Sequence, residues 1–149
     1  MSHLPHVRVE ALESRQLLSV NLHGDRLMIA GSQEADVVQI NYVPDVDLLM
    51  VMVNGDLYTY DGAAVSSIRL RLGGGDDILT VNRSVLHGVF ALGGAGNDLL
   101  AGGSGSDSLM GGSGDDVLRG GAGVDVLSGG RGSNLVLADP DDVVRGKMA

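Results

Sequence analysis

From residue 93 onward, apolar and polar positions recur with a period of nine residues. The unit Gly93-Gly94-Ala95-Gly96-Asn97-Asp98-Leu99-Leu100-Ala101 is followed without a gap by units beginning at Gly102, Gly111, Gly120 and Gly129. Each fits Gly-Gly-x-Gly-x-(Asp/Asn)-x-(Leu/Val)-x, and the eighth position is apolar in all of them: Leu100, Leu109, Leu118, Leu127 and Val136. A flexible Gly-Ser-Asp linker has no reason to keep an apolar residue in phase. The pattern predicts that the first six positions of each unit form a turn and the last three a short strand. Upstream, residues 72–80 fit the same unit with Leu72 in place of the first glycine and Leu79 at the eighth position. Residues 81–92, read as an irregular half-coil with an enlarged turn at Asn82-Arg83-Ser84, separate it from the tandem units. A fainter echo lies at 31–39, with Asp36 and Val38 in phase.

Before the repeat the pattern is that of ordinary β-structure. Val20 to Leu22 and Leu27 to Ala30 flank the turn signal His23-Gly24-Asp25. Val37 to Val43 is rich in β-branched and aromatic residues and is ended by Pro44-Asp45. Leu48 to Val53 leads into Asn54-Gly55, a hairpin signal, and Leu57 to Tyr60 fits the returning strand. Ile68 to Leu72 alternates apolar and basic residues, as a half-buried strand does. A short helix is expected within residues 9–19.

Composition narrows the reading. The 149 residues carry a formal net charge of −9, and an acidic chain of this kind does not suit nucleic acid, which selects a basic face. Glycine accounts for 24 residues, aromatic residues for only 3 %, and there is no cysteine, so disulfides and thiolate metal sites are excluded. The longest unbroken apolar run, Leu48 to Val53, is far short of the ~20 residues of a membrane-spanning helix. Residues 1–20 lack the basic-then-apolar order of a signal peptide. No phosphate-binding Gly-Lys-Ser/Thr, zinc-binding His-Glu-x-x-His or Gly-x-Ser-x-Gly motif is present, and His3, His6, His23 and His87 have no ligand spacing. No catalytic residue is assigned, and no enzyme activity is expected.

The repeat itself points to a hard cation. Calcium takes six to eight oxygen ligands in forgiving geometry. A glycine-rich turn aims carbonyl oxygens inward, and the sixth-position aspartate adds a carboxylate. Two stacked turns then complete a shell. If two units close one coil, equivalent turns lie 18 residues apart, so Asp98 faces Asp116, Asp107 faces Asp125, and Asp116 faces Asn134. Asp77 stands 21 residues before Asp98, one coil with three extra residues. On this reading Asp125 serves one stacked pair and Asp116 two. Asp76 and Asp115, at the fifth position, are expected to face solvent or to act only through their field. Stacked carboxylates 5 Å apart repel by about 3 kcal/mol at an effective dielectric near 20, and a cation reverses that sign. Residues 93–137 are therefore expected to be largely disordered without calcium and to fold when it binds.

Residues 93–137 resemble the haemolysin-type calcium-binding (RTX) repeats of secreted bacterial proteins. The family pattern Asp-x-Leu-x4-Gly-x-Asp-x-Leu-x-Gly-Gly-x3-Asp is met by Asp98, Leu100, Gly105, Asp107, Leu109, Gly111, Gly112 and Asp116. The resemblance implies an all-β, right-handed parallel β-roll, a calcium-binding β-solenoid, preceded here by a β-rich cap. It implies side-chain ligands at Asp98, Asp107, Asp116 and Asp125, with Asp77 as a further candidate and Asn134 as a weaker, neutral end. Carbonyls of Gly94, Gly96, Gly103, Gly105, Gly112, Gly114, Gly121 and Gly123 would complete the shells. Leu12-Glu13-Ser14-Arg15-Gln16-Leu17-Leu18-Ser19 resembles a Leu-Glu-Pro-Arg-x-Leu-Leu-Ser motif near the start of exported bacterial proteins, with Ser14 in place of proline.

The expected organisation is a leader-like segment at 1–20, a β-rich cap at 21–71, the roll at 72–137 and a tail at 138–149. The expected function is calcium binding by an exported, extracellular or cell-surface structural or interaction protein. The alternatives are an adhesin or matrix protein with its partner site in residues 21–71, and a metal-free β-solenoid in which the aspartates only cap turns.

Overall fold

The computed structural model describes residues 18–146. The predicted helix and the export-type motif fall on residues that lie outside the described ones, except at their end, where Ser19 opens the first strand. The strands are β1 (Ser19–His23), β2 (Arg26–Ala30), β3 (Val37–Val43), β4 (Leu48–Val53), β5 (Asp56–Asp61), β6 (Ser67–Gly73) and β7 (Ile78–Val81). They continue with β8 (Val89–Ala95), β9 (Leu99–Ala101), β10 (Ser108–Ser113), β11 (Val117–Arg119), β12 (Val126–Arg131), β13 (Leu135–Leu137) and β14 (Val143–Arg145).

These strands form two seven-stranded sheets. One has the order β1-β2-β6-β8-β10-β12-β14 and the other β13-β11-β9-β7-β3-β4-β5. From β6 onward the chain alternates between the sheets, and each strand pairs in parallel with the strand one coil later. This is a parallel β-solenoid of stacked coils. The coil repeat is 18 residues through the tandem units and 21 residues across the turn at 82–88. That turn is closed where the Val85 amide donates to the Asn82 carbonyl at 3.0 Å.

The solenoid starts earlier than the clean repeat. β2 pairs in parallel with β6, and β3 with β7, so residues 26–43 form the opening rung. The residues between β3 and β6 include the antiparallel hairpin β4–β5, which widens the second sheet and covers its first edge. Antiparallel β1 does the same for the first sheet. The Asn54-Gly55 turn has φ of 50° and 94°, as a two-residue hairpin requires.

Strand lengths differ from the expected six-residue turn and three-residue strand. Within the tandem units the three-residue strands lie in the second sheet (β9, β11, β13), and β14, beyond them in the first sheet, is equally short. In the first sheet, β10 and β12 have six residues and run on through the glycine pair. Glycine weakens a strand in isolation. Here Gly112 pairs with Gly94 and Gly130 on either side, so the ladder holds the segment extended. The predicted tail also contributes a strand, since β14 pairs with β12.

The core is the narrow space between the sheets. Leu79, Leu100, Leu109, Leu118 and Leu127, all at the eighth position, are fully buried, while Val136 on the last rung is only partly so. Each buried leucine contributes roughly 1.5–3 kcal/mol. The first rungs hold a thicker core of Leu27, Ile29, Val38, Ile40, Ile68 and Leu70, flanked by Tyr42, Tyr58 and Tyr60. The bulky residues of the chain thus sit where coiling begins.

Candidate metal centre

Two rows of turns join the sheets. One row carries the chain from the first sheet to the second, immediately before β3, β7, β9, β11 and β13. Its sixth-position residues are Asp36, Asp77, Asp98, Asp116 and Asn134. The other row leads back, and holds Asp107, Asp125 and Asp142 before β10, β12 and β14.

Within each row the side chains form a ladder. The amide of Asp36 donates to Asp77 Oδ1 at 2.8 Å, that of Asp77 to Asp98 Oδ1 at 2.9 Å, and that of Asp98 to Asp116 Oδ1 at 2.8 Å. The Asp116 amide donates to Asn134 Oδ1 at 2.8 Å. In the second row Val89 donates to Asp107, Asp107 to Asp125, and Asp125 to Asp142, at 2.8, 2.7 and 3.0 Å. The pairings read from the 18-residue repeat, and the 21-residue step from Asp77 to Asp98, are all present. Asp142 was not foreseen. It lies 17 residues after Asp125, without a glycine turn before it. It corrects the expectation that Asp125 serves a single pair, because Asp125 has a neighbour on each side, as Asp116 does.

A second, outer ladder uses the fifth position of the first row and runs the opposite way. Asn97 donates to Asp76 Oδ1, Asp115 to Asn97 Oδ1, and Ser133 to Asp115 Oδ1, each at 2.8 Å. Asp76 and Asp115 are exposed, as expected, but they also stitch coils together. The sixth-position side chains reach back to an amide of the N-terminal neighbour and the fifth-position side chains forward to an amide of the C-terminal one, so each turn is tied in both directions.

The ladder uses one carboxylate oxygen. The other decides what the turn can bind. Oδ2 of Asp77, Asp98, Asp116 and Asp125 is buried and has no hydrogen-bond partner. These residues are at most 2 % exposed. A buried carboxylate oxygen without a donor is costly, more so when charged. Burial accordingly raises all of these pKa values, assisted by neighbouring carboxylates and opposed by the ladder amides. Asp77 is pushed up to about 7 and Asp98 to about 6. Asp107 also rises to about 6, and Asp116 and Asp125 move upward.

Backbone oxygens converge on these orphaned atoms. A side chain at Gly93 would collide with both Asp98 Oδ2 and the Gly111 carbonyl. One at Gly111 would meet Asp116 Oδ2 and the Gly129 carbonyl. The first-position glycine therefore keeps open a cradle walled by its own repeat's carboxylate and by a carbonyl of the next coil. The second- and fourth-position carbonyls of Gly94, Gly96, Gly103, Gly105, Gly112 and Gly114 likewise project toward the glycine one coil later. The sequence expectation names the second- and fourth-position carbonyls and not the first.

This donor set fits calcium. It is all oxygen, with one carboxylate per turn and the rest carbonyl. Among the described residues no group of three or more His, Cys, Asp or Glu side chains is placed to hold a metal ion, so a cation here would draw on backbone carbonyls beside the carboxylates. The His87 ring sits edge-on to Tyr42, with ring centroids 6.0 Å apart.

Fold and site together define a cation-binding β-solenoid with oxygen cradles between its turns. Residues 90–109 and 102–136 match the family model of the RTX calcium-binding nonapeptide repeat, in four copies. Residues 90–136 are therefore RTX repeats, a structural calcium-binding type of module rather than an enzyme family, and calcium is their ligand. No curated protein and no solved structure matches the chain. No helix among the described residues is long and apolar enough to cross a membrane.

Proposed function

We propose that the chain is an exported structural module whose roll is completed by calcium outside the cell. The carrying observation is the set of four buried carboxylate oxygens without partners, at Asp77, Asp98, Asp116 and Asp125. Metal-free, each coil buries an unsatisfied, repelling acid. With calcium the same atoms become ligands. Sites of this kind, rich in neutral carbonyls, suit extracellular calcium, where dissociation constants of roughly 10⁻⁴–10⁻³ M are sufficient. Folding and binding are then one event for the tandem coils.

Calcium titration by calorimetry, with circular dichroism in calcium and then in chelator, tests the reading. Heat of binding at millimolar calcium and loss of β signal in chelator are expected. A β signal unchanged in chelator, with no heat, would favour the metal-free solenoid. A second role as an adhesin or matrix protein is favoured by the apolar outer side of the hairpin, where Met52 is 37 % and Leu57 52 % exposed. Loss of cell-surface binding in a Leu57→Glu variant of the full chain, with calcium binding retained, would support that role.

A further inference from the structure

The sixth-position residues do not all present the same atom. Asp36, at the head of the first ladder, has both oxygens occupied. Ser32 donates to Oδ2 through its amide (2.6 Å) and its hydroxyl (3.0 Å), and Asn54 Nδ2 donates to Oδ1 at 2.8 Å. Asn134, at the tail of that ladder, turns its amide nitrogen onto the Gly130 carbonyl at 3.2 Å. Asp107, at the head of the second ladder, accepts from the Gly103 amide on Oδ2 at 2.9 Å. Asp142, at its tail, accepts from the Asp139 amide on Oδ2 at 2.7 Å. The interior members, Asp77, Asp98 and Asp116 in one row and Asp125 in the other, are those with a free buried oxygen.

We infer that calcium occupies only the four interior positions, and that Asp36, Asn134, Asp107 and Asp142 are metal-free plugs that end each ladder with protein hydrogen bonds. The inference rests on the calcium reading above and refines it. A cation held between turns needs oxygens from both sides. An end member has a sixth-position neighbour in its ladder on one side only. Without an ion, its second oxygen must find a donor in its own turn or in the hairpin. Ser32, Gly103 and Asp139 supply those donors, Asn54 fills the other oxygen of Asp36, and Asn134 replaces the oxygen by a nitrogen. The first row thus takes three ions and the second one. The two rows of turns are unequal although their repeat sequences are alike.

Native mass spectrometry and calorimetry on the full chain, with calcium alone as the probe, test this. Saturation at four ions per chain is expected for the unaltered protein, a count that depends on no variant. Asp98→Asn and Asp125→Asn, which keep a ladder oxygen, should each lower the count by one. Asp107→Asn and Asp36→Asn should leave it unchanged, with circular dichroism in calcium confirming that each is folded. Either plug variant alone carries this arm if the other does not fold. A count other than four, or loss of an ion in Asp107→Asn as in Asp125→Asn, would overturn the inference while leaving calcium binding intact. Absence of any bound calcium would instead sink the calcium reading itself.

Discussion

Leu118 shows what one side chain does in a core this thin. It is fully buried between β11 and the facing sheet, with Leu100 and Val136 on the rungs to either side. Leu118→Ala should cost about 2–5 kcal/mol, because a two-layer core cannot collapse around the void. Val136→Ala, on the half-open last rung, should cost less. Urea unfolding at saturating calcium reads both. Gly112 is constrained differently. Its φ is 107°, and a Cβ there would strike the Gly94 carbonyl. Gly112→Ala should destabilise by more than ~1 kcal/mol from backbone strain alone, and further by pushing two coils apart. The same measurement should show it to be worse than Ala122→Gly, in an exposed part of the opposite turn.

At the scale of strand and turn, much was legible. β3 and β4 fall on their predicted bounds because β-branched runs ended by Pro44 and by Asn54-Gly55 leave the backbone little choice. The sixth-position stacking followed from the period alone. What could not be read depended on partners distant in sequence. Asp36 is plugged by Asn54, which reaches it only because the hairpin folds back. Asp142 replaces a glycine turn with Ala138-Asp139-Pro140, which carries no repeat signature. The six-residue strands cross glycines that local propensity would have assigned to turn. The ladders also fix a pH response. Carboxyl groups raised from an ordinary value of 3.8 to about 6 or 7 hold protons in the fold that the unfolded chain has released. Their stabilising effect is complete below pH ~4 and is lost as pH rises through about 6–7. In chelator, the thermal midpoint should therefore be higher at pH 5 than at pH 7.5. In calcium the order should reverse, because protons then compete with the ion. Melting curves at both pH values, with and without chelator, check the crossover.

For the molecule as a whole, stability is unevenly spread. The opening rungs have the tyrosines, the hairpin and a plugged Asp36, whereas the later coils have at most one core leucine per strand and orphaned acids. Hydrogen exchange in chelator at neutral pH should show protection retained longest in β2, β3, β4 and β6 and lost first from β10 to β14. Added calcium should restore it there. Equal exchange at both ends would contradict a fold that is built outward from its first rung.

Within its sheet, each strand of the tandem coils is hydrogen-bonded only to the coil before and the coil after it. Under tension applied at its C-terminal end, such a stack can be opened one rung at a time, because its core is a single file of side chains. It should peel like a zipper, each 18-residue coil paying out about 60 Å of chain as it opens. The ions between turns then act as rivets, and the calcium level of the surroundings sets how hard the chain can be pulled before the next coil lets go.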